Sequence, residues 1–211
     1  MLWQNFFSLI YDMKLYQQLT SLILLTCISI NVAAQKIETN ITWLTNIPDA
    51  ENNIRYNSKQ KLTIEDFKGT ADVSTDAVAI TSSGFMFKAG YHSSGGKAIL
   101  SVAVYCSFYK NESWMKEKGK NTYILAHEQH HFDISYLNTL LFIKKLKQTR
   151  FSQDNYMEQL KTVYKEVVEK MEAMQNKYDT ETGNGINKEK QAEWNEKIEG
   201  LLADAATEQT L

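Results

Sequence analysis

Cysteine is scarce in this chain of 211 residues, which has Cys27 and Cys106 and no others. Cys27 falls in a segment expected to be removed, so Cys106 would stand alone and no internal disulfide could form even in an oxidising compartment. Cys106 closes the apolar run Val102-Ala103-Val104-Tyr105-Cys106 and reads as a small buried residue. An excess of charge of one sign is missing too. Lys and Arg number 23 against 25 Asp and Glu, a net charge of −2, so nothing points to a nucleic-acid partner. Repeats, low-complexity tracts and long linkers are all absent. Residues 35–211 therefore read as a single domain, long enough to bury a core of its own.

Nor does the chain hold a convincing membrane span. The apolar stretch Leu19–Val32 is too short to cross a bilayer comfortably, and it ends in the small residues Val32-Ala33-Ala34 before Gln35. That pattern predicts a signal peptide over residues 1–34 and a mature chain with no membrane span. Met13-Lys14 opens a more ordinary signal than Met1 does, so Met13 is a second candidate start. Lipid attachment at Cys27 is disfavoured by Thr26 before it and by the apolar run that continues past it. The expectation is export to the periplasm or the exterior. The sequence leaves the oligomeric state open.

In the mature part, residues 35–110 read mainly as strands and residues 111–211 mainly as helices. Ile41–Leu44, Ala77–Phe87 and Ala98–Tyr109 are rich in β-branched and aromatic residues, and His92-Ser93-Ser94-Gly95-Gly96 is a turn that would join the last two as a hairpin. Lys61–Gly69 reads as a strand end followed by one helical turn, with Thr63 as cap and Asp66 at the third helical position. Asn155–Lys177 carries Leu160, Val163, Val167, Met171 and Met174 at helical spacing. Tyr178–Gly185 reads as a compact loop, and Asn187 caps a last helix with Trp194, Ile198 and Leu201 on one side. The fold class is α+β: antiparallel strands first, then a helical half.

The most specific signal is His127-Glu128-Gln129-His130-His131. From Asn121 to Gln148 there is no Pro and no Gly, and Asn121 is a suitable N-cap, so the segment is predicted helical. On a helix His127 and His131 lie one turn apart on one face, a spacing that suits two zinc ligands. Glu128 sits beside them, placed to take a proton from water activated by the ion. The competing reading is a core helix whose histidines bond to polar neighbours.

The chain resembles a family of secreted bacterial proteins described, by inference, as zinc-dependent proteases and classed as a domain of unknown function. The resemblance rests on Leu62–Gly69, on Ser113-Trp114 and on Ala126–Ile134, and then on Tyr178-Asp179-Thr180-Glu181-Thr182 with Asn187, Gln191 and Trp194. It implies a zincin-like fold, Zn2+ as cofactor, and a third histidine ligand in the loop after Tyr178–Thr182. This chain has Asn184 there instead, and asparagine is a weak zinc ligand. Asp179, Glu181, Glu166 and Glu169 are alternative third ligands. Tyr178 and His130 are candidates to stabilise an oxyanion. The expected function is a secreted zinc-dependent hydrolase, a metalloprotease or another amidase, acting on peptide or amide bonds in the cell envelope or outside it. The alternative is a lapsed, zincin-like envelope protein with a binding or structural role.

Overall fold

A computed structural model describes residues 37–44 and 46–208. The predicted signal peptide, Met13 and Cys27 lie outside the described residues. The chain forms strands β1 (Ile37–Trp43), β2 (Asn53–Arg55), β3 (Ala79–Ile80), β4 (Ser83–Ser94), β5 (Lys97–Tyr109) and β6 (Trp114–Met115). Helices α1 (Thr122–Gln148), α2 (Tyr156–Thr182) and α3 (Lys188–Glu208) follow. The architecture is α+β, with strands before helices.

β5 is the spine of the main sheet. β4 pairs along one side of it, and β1 and β2 share the other side in succession. Its inward residues Ala98, Leu100, Val102, Val104, Cys106 and Phe108 are buried at every second position, as one covered face of a sheet requires. Gly95 and Gly96, both at positive φ, make the tight turn between β4 and β5, and two-residue hairpins need that conformation. The expected hairpin is present. The expectation of uniformly antiparallel strands is not met, because β1 runs parallel to β5 from Ile37 opposite Ala98 to Trp43 opposite Val104. The long connection between them carries three other strands, so hairpin geometry does not fix their relative direction.

Two further boundaries differ from expectation. Ala77–Phe87 is broken at Thr81-Ser82, where the chain leaves β6 and joins β5. There Ser82 N–H donates to Ser113 Oγ (2.9 Å) while Ser82 O accepts from Tyr109 N–H (2.9 Å). Leu62 precedes a 3-10 turn, Ile64–Asp66, without strand pairing, and its N–H is taken by Gln129 Oε1 (2.8 Å). Thr63 N–H donates to Asp66 Oδ2 (2.8 Å), as expected of that cap.

Helix α1 is capped by Asn121, whose side chain accepts from Tyr123 N–H (3.1 Å) and Ile124 N–H (3.0 Å). It is covered by β4 and β5 on one side and by α2 and α3 on the other, which is why it is apolar nearly all round. Phe142 and Leu146 of α1 meet Leu100, Val102 and Val104 of β5 and Leu160 and Val167 of α2 in the main core. Each such side chain contributes about 1.5–3 kcal/mol when fully buried. A smaller cluster of Ile134, Tyr178, Trp194 and Ile198 joins the three helices beside the histidines. On α3 it is Leu202 that packs inward, whereas Leu201 is exposed. Cys106 is fully buried, and burial pushes its thiol up to about 12, so it is an inert core residue. No helix among the described residues is long and apolar enough to cross a membrane.

Candidate metal centre

Two helices supply the cluster at one end of the helical layer. His127, Glu128 and His131 come from α1. Asp179 comes from the last turn of α2, because the helix runs on through Thr182 where a loop was expected. The Thr182 hydroxyl donates back to Tyr178 O (2.8 Å), and Gly183, at φ +58°, ends the helix with its N–H turned back to Thr180 O. Helical geometry, not loop geometry, therefore sets the position of Asp179.

The Nε2 atoms of His127 and His131 are 3.3 Å apart. Asp179 Oδ1 lies 3.3 Å from the first and 3.0 Å from the second. Two donors, each about 2.0–2.1 Å from one tetrahedral ion, stand about 3.3–3.4 Å apart, so this triangle suits zinc with one position left open. The hydrogens tell the same story. His131 Nδ1 meets Gln175 Oε1 at 2.6 Å, and His127 Nδ1 meets Gln191 Oε1 at 2.8 Å. In the tautomer in which both Nδ1 atoms donate, two imidazole lone pairs and a carboxylate oxygen face one another with no hydrogen between them. Asp179 Oδ1 is accordingly a buried acceptor without a donor among the described residues. Such a cluster calls for a positive charge at its centre, either a proton or a metal ion.

The titration tendencies agree. Burial opposes the charged form of His131, yet the bond that a protonated ring makes to Asp179 and the charges of Glu128 and Asp179 raise its pKa above the ordinary histidine value. Burial likewise opposes ionisation of Asp179, but the two imidazoles hold its carboxyl far below the usual carboxylate range. The donor set fits a borderline divalent cation such as zinc.

Glu128 is 4% exposed, and its Oε2 has no hydrogen-bond partner among the described residues. It lines a cleft of about 1140 Å³ together with His127, His131 and Asp179. Buried carboxylate oxygens are normally satisfied, so an orphan at a cleft wall marks a place for water or ligand.

The other expected candidates fall elsewhere. Asn184 lines the cleft, but it is exposed, on a left-handed turn (φ +53°), and outside the three-donor cluster. Glu181 accepts from Trp194 Nε1 (2.8 Å). Glu166 pairs with Lys145 (2.8 Å) and Lys170 (3.2 Å), and Glu169 lies 3.8 Å from Lys165. Tyr178 is fully buried, stacks on His127 and gives its hydroxyl hydrogen to His127 O (3.3 Å), so that hydroxyl supports the helix that carries the histidines. His130 Nδ1 pairs with Asp133 Oδ2 (3.1 Å), and Asp133 also receives Tyr56 Oη–H (2.8 Å) and Gln129 Nε2–H (2.9 Å). That satisfied network ties α1 to the segment before Thr63. Gln175 was not singled out from sequence, and Gln191 entered only as a motif residue without a role, yet each meets a site histidine. Gln175 stands one helical turn before Asp179, a usable signal once α2 is known to continue.

The family model described as "Bacterial protein of unknown function (DUF922)" matches residues 112–185, a stretch holding His127, Glu128, His131, Gln175 and Asp179. No curated protein and no solved structure matches the chain.

Proposed function

We propose that this protein is a zinc-dependent hydrolase of peptide or other amide bonds, with His127, His131 and Asp179 as metal ligands and Glu128 as general base. The observation that carries the reading is the convergence of three lone-pair donors beside an unpartnered buried glutamate in one cleft. When bound, the ion supplies a Lewis acid that acidifies water and polarises a carbonyl. Glu128 then accepts a proton from water in the cleft and delivers it to the leaving amine. His127, buried, and His131, partly buried, are held by Gln191 and Gln175 and keep their Nε2 lone pairs on the ligand side. The fold reading is zincin-like: a strand edge, an HExxH helix and a third ligand from the next helix.

The cleft wall favours an extended chain as substrate. Lys116 N–H donates to Val78 O (2.8 Å), and Ile80 lies opposite Trp114. Val78 and Ile80 therefore direct their backbone groups to β6, and those of Ala79 and Thr81 face the other way. Residues 77–83 line the cleft, so this edge could pair with a peptide backbone. Asp179 supplies a third ligand, which removes the need for a histidine at position 184 and supports an active centre over a lapsed one. The pattern over residues 19–34 supports export, which places the substrates in the cell envelope or outside the cell.

Elemental analysis of protein purified without added zinc, paired with peptide hydrolysis, tests this reading. Wild type should carry one zinc and cleave. His127→Ala/His131→Ala should lose the zinc. Glu128→Gln should keep it and lose at least about 10²-fold in rate. Equal zinc in wild type and the double variant would overturn the proposal.

A further inference from the structure

We propose that Gln175 and Gln191 are positioning residues that lock His131 and His127 in the Nδ1–H tautomer and aim both Nε2 lone pairs at Asp179. The consequence for metal affinity rests on the metal reading above, while the lock itself rests on hydrogen bonds.

The polarity of each bond can be traced to a group that can only accept. Gln175 Nε2 donates to the backbone carbonyl of His131 (2.9 Å), and a carbonyl has no hydrogen to give. This fixes which end of the amide is nitrogen. The remaining oxygen, 2.6 Å from His131 Nδ1, must accept, so Nδ1 carries the hydrogen. For His127 the chain is one link longer. The Tyr178 hydroxyl donates to His127 O (3.3 Å) and therefore accepts from Gln191 Nε2 (2.7 Å), which leaves Gln191 Oε1 to accept from His127 Nδ1 (2.8 Å). Each ring is thus oriented by a loop of hydrogen bonds that returns to the backbone of the residue it belongs to. Both amides are held against flipping. Gln175 also donates to Ser135 Oγ (3.3 Å), which Ser83 Oγ holds at 2.8 Å, and Gln191 also donates to Asn195 Oδ1 (2.8 Å).

An amide has a specific use here. Carboxylates often hold the outer nitrogen of metal-bound histidines. In this site Glu128 and Asp179 already place two carboxyl groups beside the rings, and the neutral glutamines orient the imidazoles without adding a third and fourth negative charge to a buried cluster. Gln175 and Asp179 lie one turn apart on α2, so one helix face delivers both a ligand and the clamp for its partner histidine.

The test is nitrogen-15 NMR of histidine-labelled, metal-free protein at a pH where both rings are neutral, with zinc affinity measured on the same samples. Wild type should show His127 and His131 as Nδ1–H tautomers. Gln175→Met and Gln191→Met should each give mixed tautomers at their own histidine only, and zinc affinity should fall about 10–100-fold. Gln191→Glu, which keeps an acceptor on Nδ1 and lets the Tyr178 hydroxyl turn to donate, should restore the His127 tautomer. Thermal unfolding confirms that each sample is folded. Folded methionine variants with unchanged tautomers would overturn the inference. Tautomers that shift as stated in a protein that takes up no zinc would uphold the lock and sink the metal reading alone.

Discussion

Tyr178 stacks on His127, with ring centroids 4.6 Å apart and ring planes 20° from parallel, and its hydroxyl donates to His127's own backbone carbonyl. A phenol beside a candidate catalytic centre invites a role in oxyanion stabilisation. Here its one hydrogen is committed to the helix that carries the histidines and its oxygen accepts from Gln191. Burial, the largest influence on this hydroxyl, pushes its pKa well above the ordinary tyrosine value, so it stays neutral.

Tyr178→Phe keeps the stack and removes only the hydroxyl. The expected result is a stability loss of about 1–2 kcal/mol, from the unpartnered His127 carbonyl and the freed Gln191 amide. Zinc affinity should weaken modestly. The kcat of the zinc-loaded variant should stay within about tenfold of wild type, because an oxyanion donor would cost about 10²–10³-fold. Urea unfolding and steady-state kinetics on the same preparation decide between the two roles.

The third ligand can be assigned by loss of metal. Asp179→Ala removes one of three donors and should abolish stoichiometric zinc. Glu166→Gln and Glu169→Gln should leave zinc content unchanged, because those carboxylates pair with lysines on an exposed helix face. Elemental analysis after dialysis checks all three. Zinc retained in Asp179→Ala would send the search back to Asn184, which lines the same cleft.

The contrast between α1 and the end of α2 shows what was legible in the sequence. α1 could be read because its signals are local: Asn121 as cap, no helix breaker, and two histidines four apart. Asp179 could be named only as one acid among several. Thr180, Thr182 and Gly183 lower helix propensity, and the segment reads as a loop by composition. Packing of Tyr178 between His127 and Trp194 overrides that tendency and carries the helix a further turn. The β4–β5 hairpin was legible through Gly95-Gly96, since the turn and its strands are contiguous. The parallel pairing of β1 was not, because it joins segments more than fifty residues apart. The roles of Gln175 and of the motif residue Gln191 were not legible for a related reason: what they do depends on which backbone carbonyl each amide's hydrogen bonds lead back to.

On the zinc reading proposed above, protons and the ion compete for the same three donors. The pKa of His131 is raised, because the Asp179 bond and the Glu128 and Asp179 charges outweigh the cost of burial. The ion must therefore displace a proton from His131 up to a pH above the ordinary histidine value of about 6.5. Zinc affinity should fall as pH is lowered through that raised value, by about tenfold per pH unit for each proton displaced. Asp179 contributes no such dependence near neutrality, since its carboxyl is held ionised far below that range. Competition titrations against a chelator between about pH 5 and 8 measure the slope. A flat profile would mean that the ion displaces no proton from an imidazole.

Two glycines make a paired test of whether the turn after α2 holds the site in shape. Gly185 sits at φ +81°, its carbonyl accepts from Tyr123 Oη–H (2.7 Å), and a Cβ there would stand 3.4 Å from His127 Cγ and Nδ1. Gly185→Ala meets backbone strain of about 1–3 kcal/mol, and relief of that strain would shift the turn whose new methyl group touches the His127 ring. Gly200 lies within α3, where a Cβ would meet nothing within 4 Å. Gly200→Ala should raise stability by about 0.5–1 kcal/mol through helix propensity alone. Zinc affinity separates the two effects. Gly185→Ala should lower it measurably while the protein stays folded, and Gly200→Ala should leave it unchanged. If Gly185→Ala costs stability but leaves zinc affinity intact, the turn is a helix connection and takes no part in holding His127.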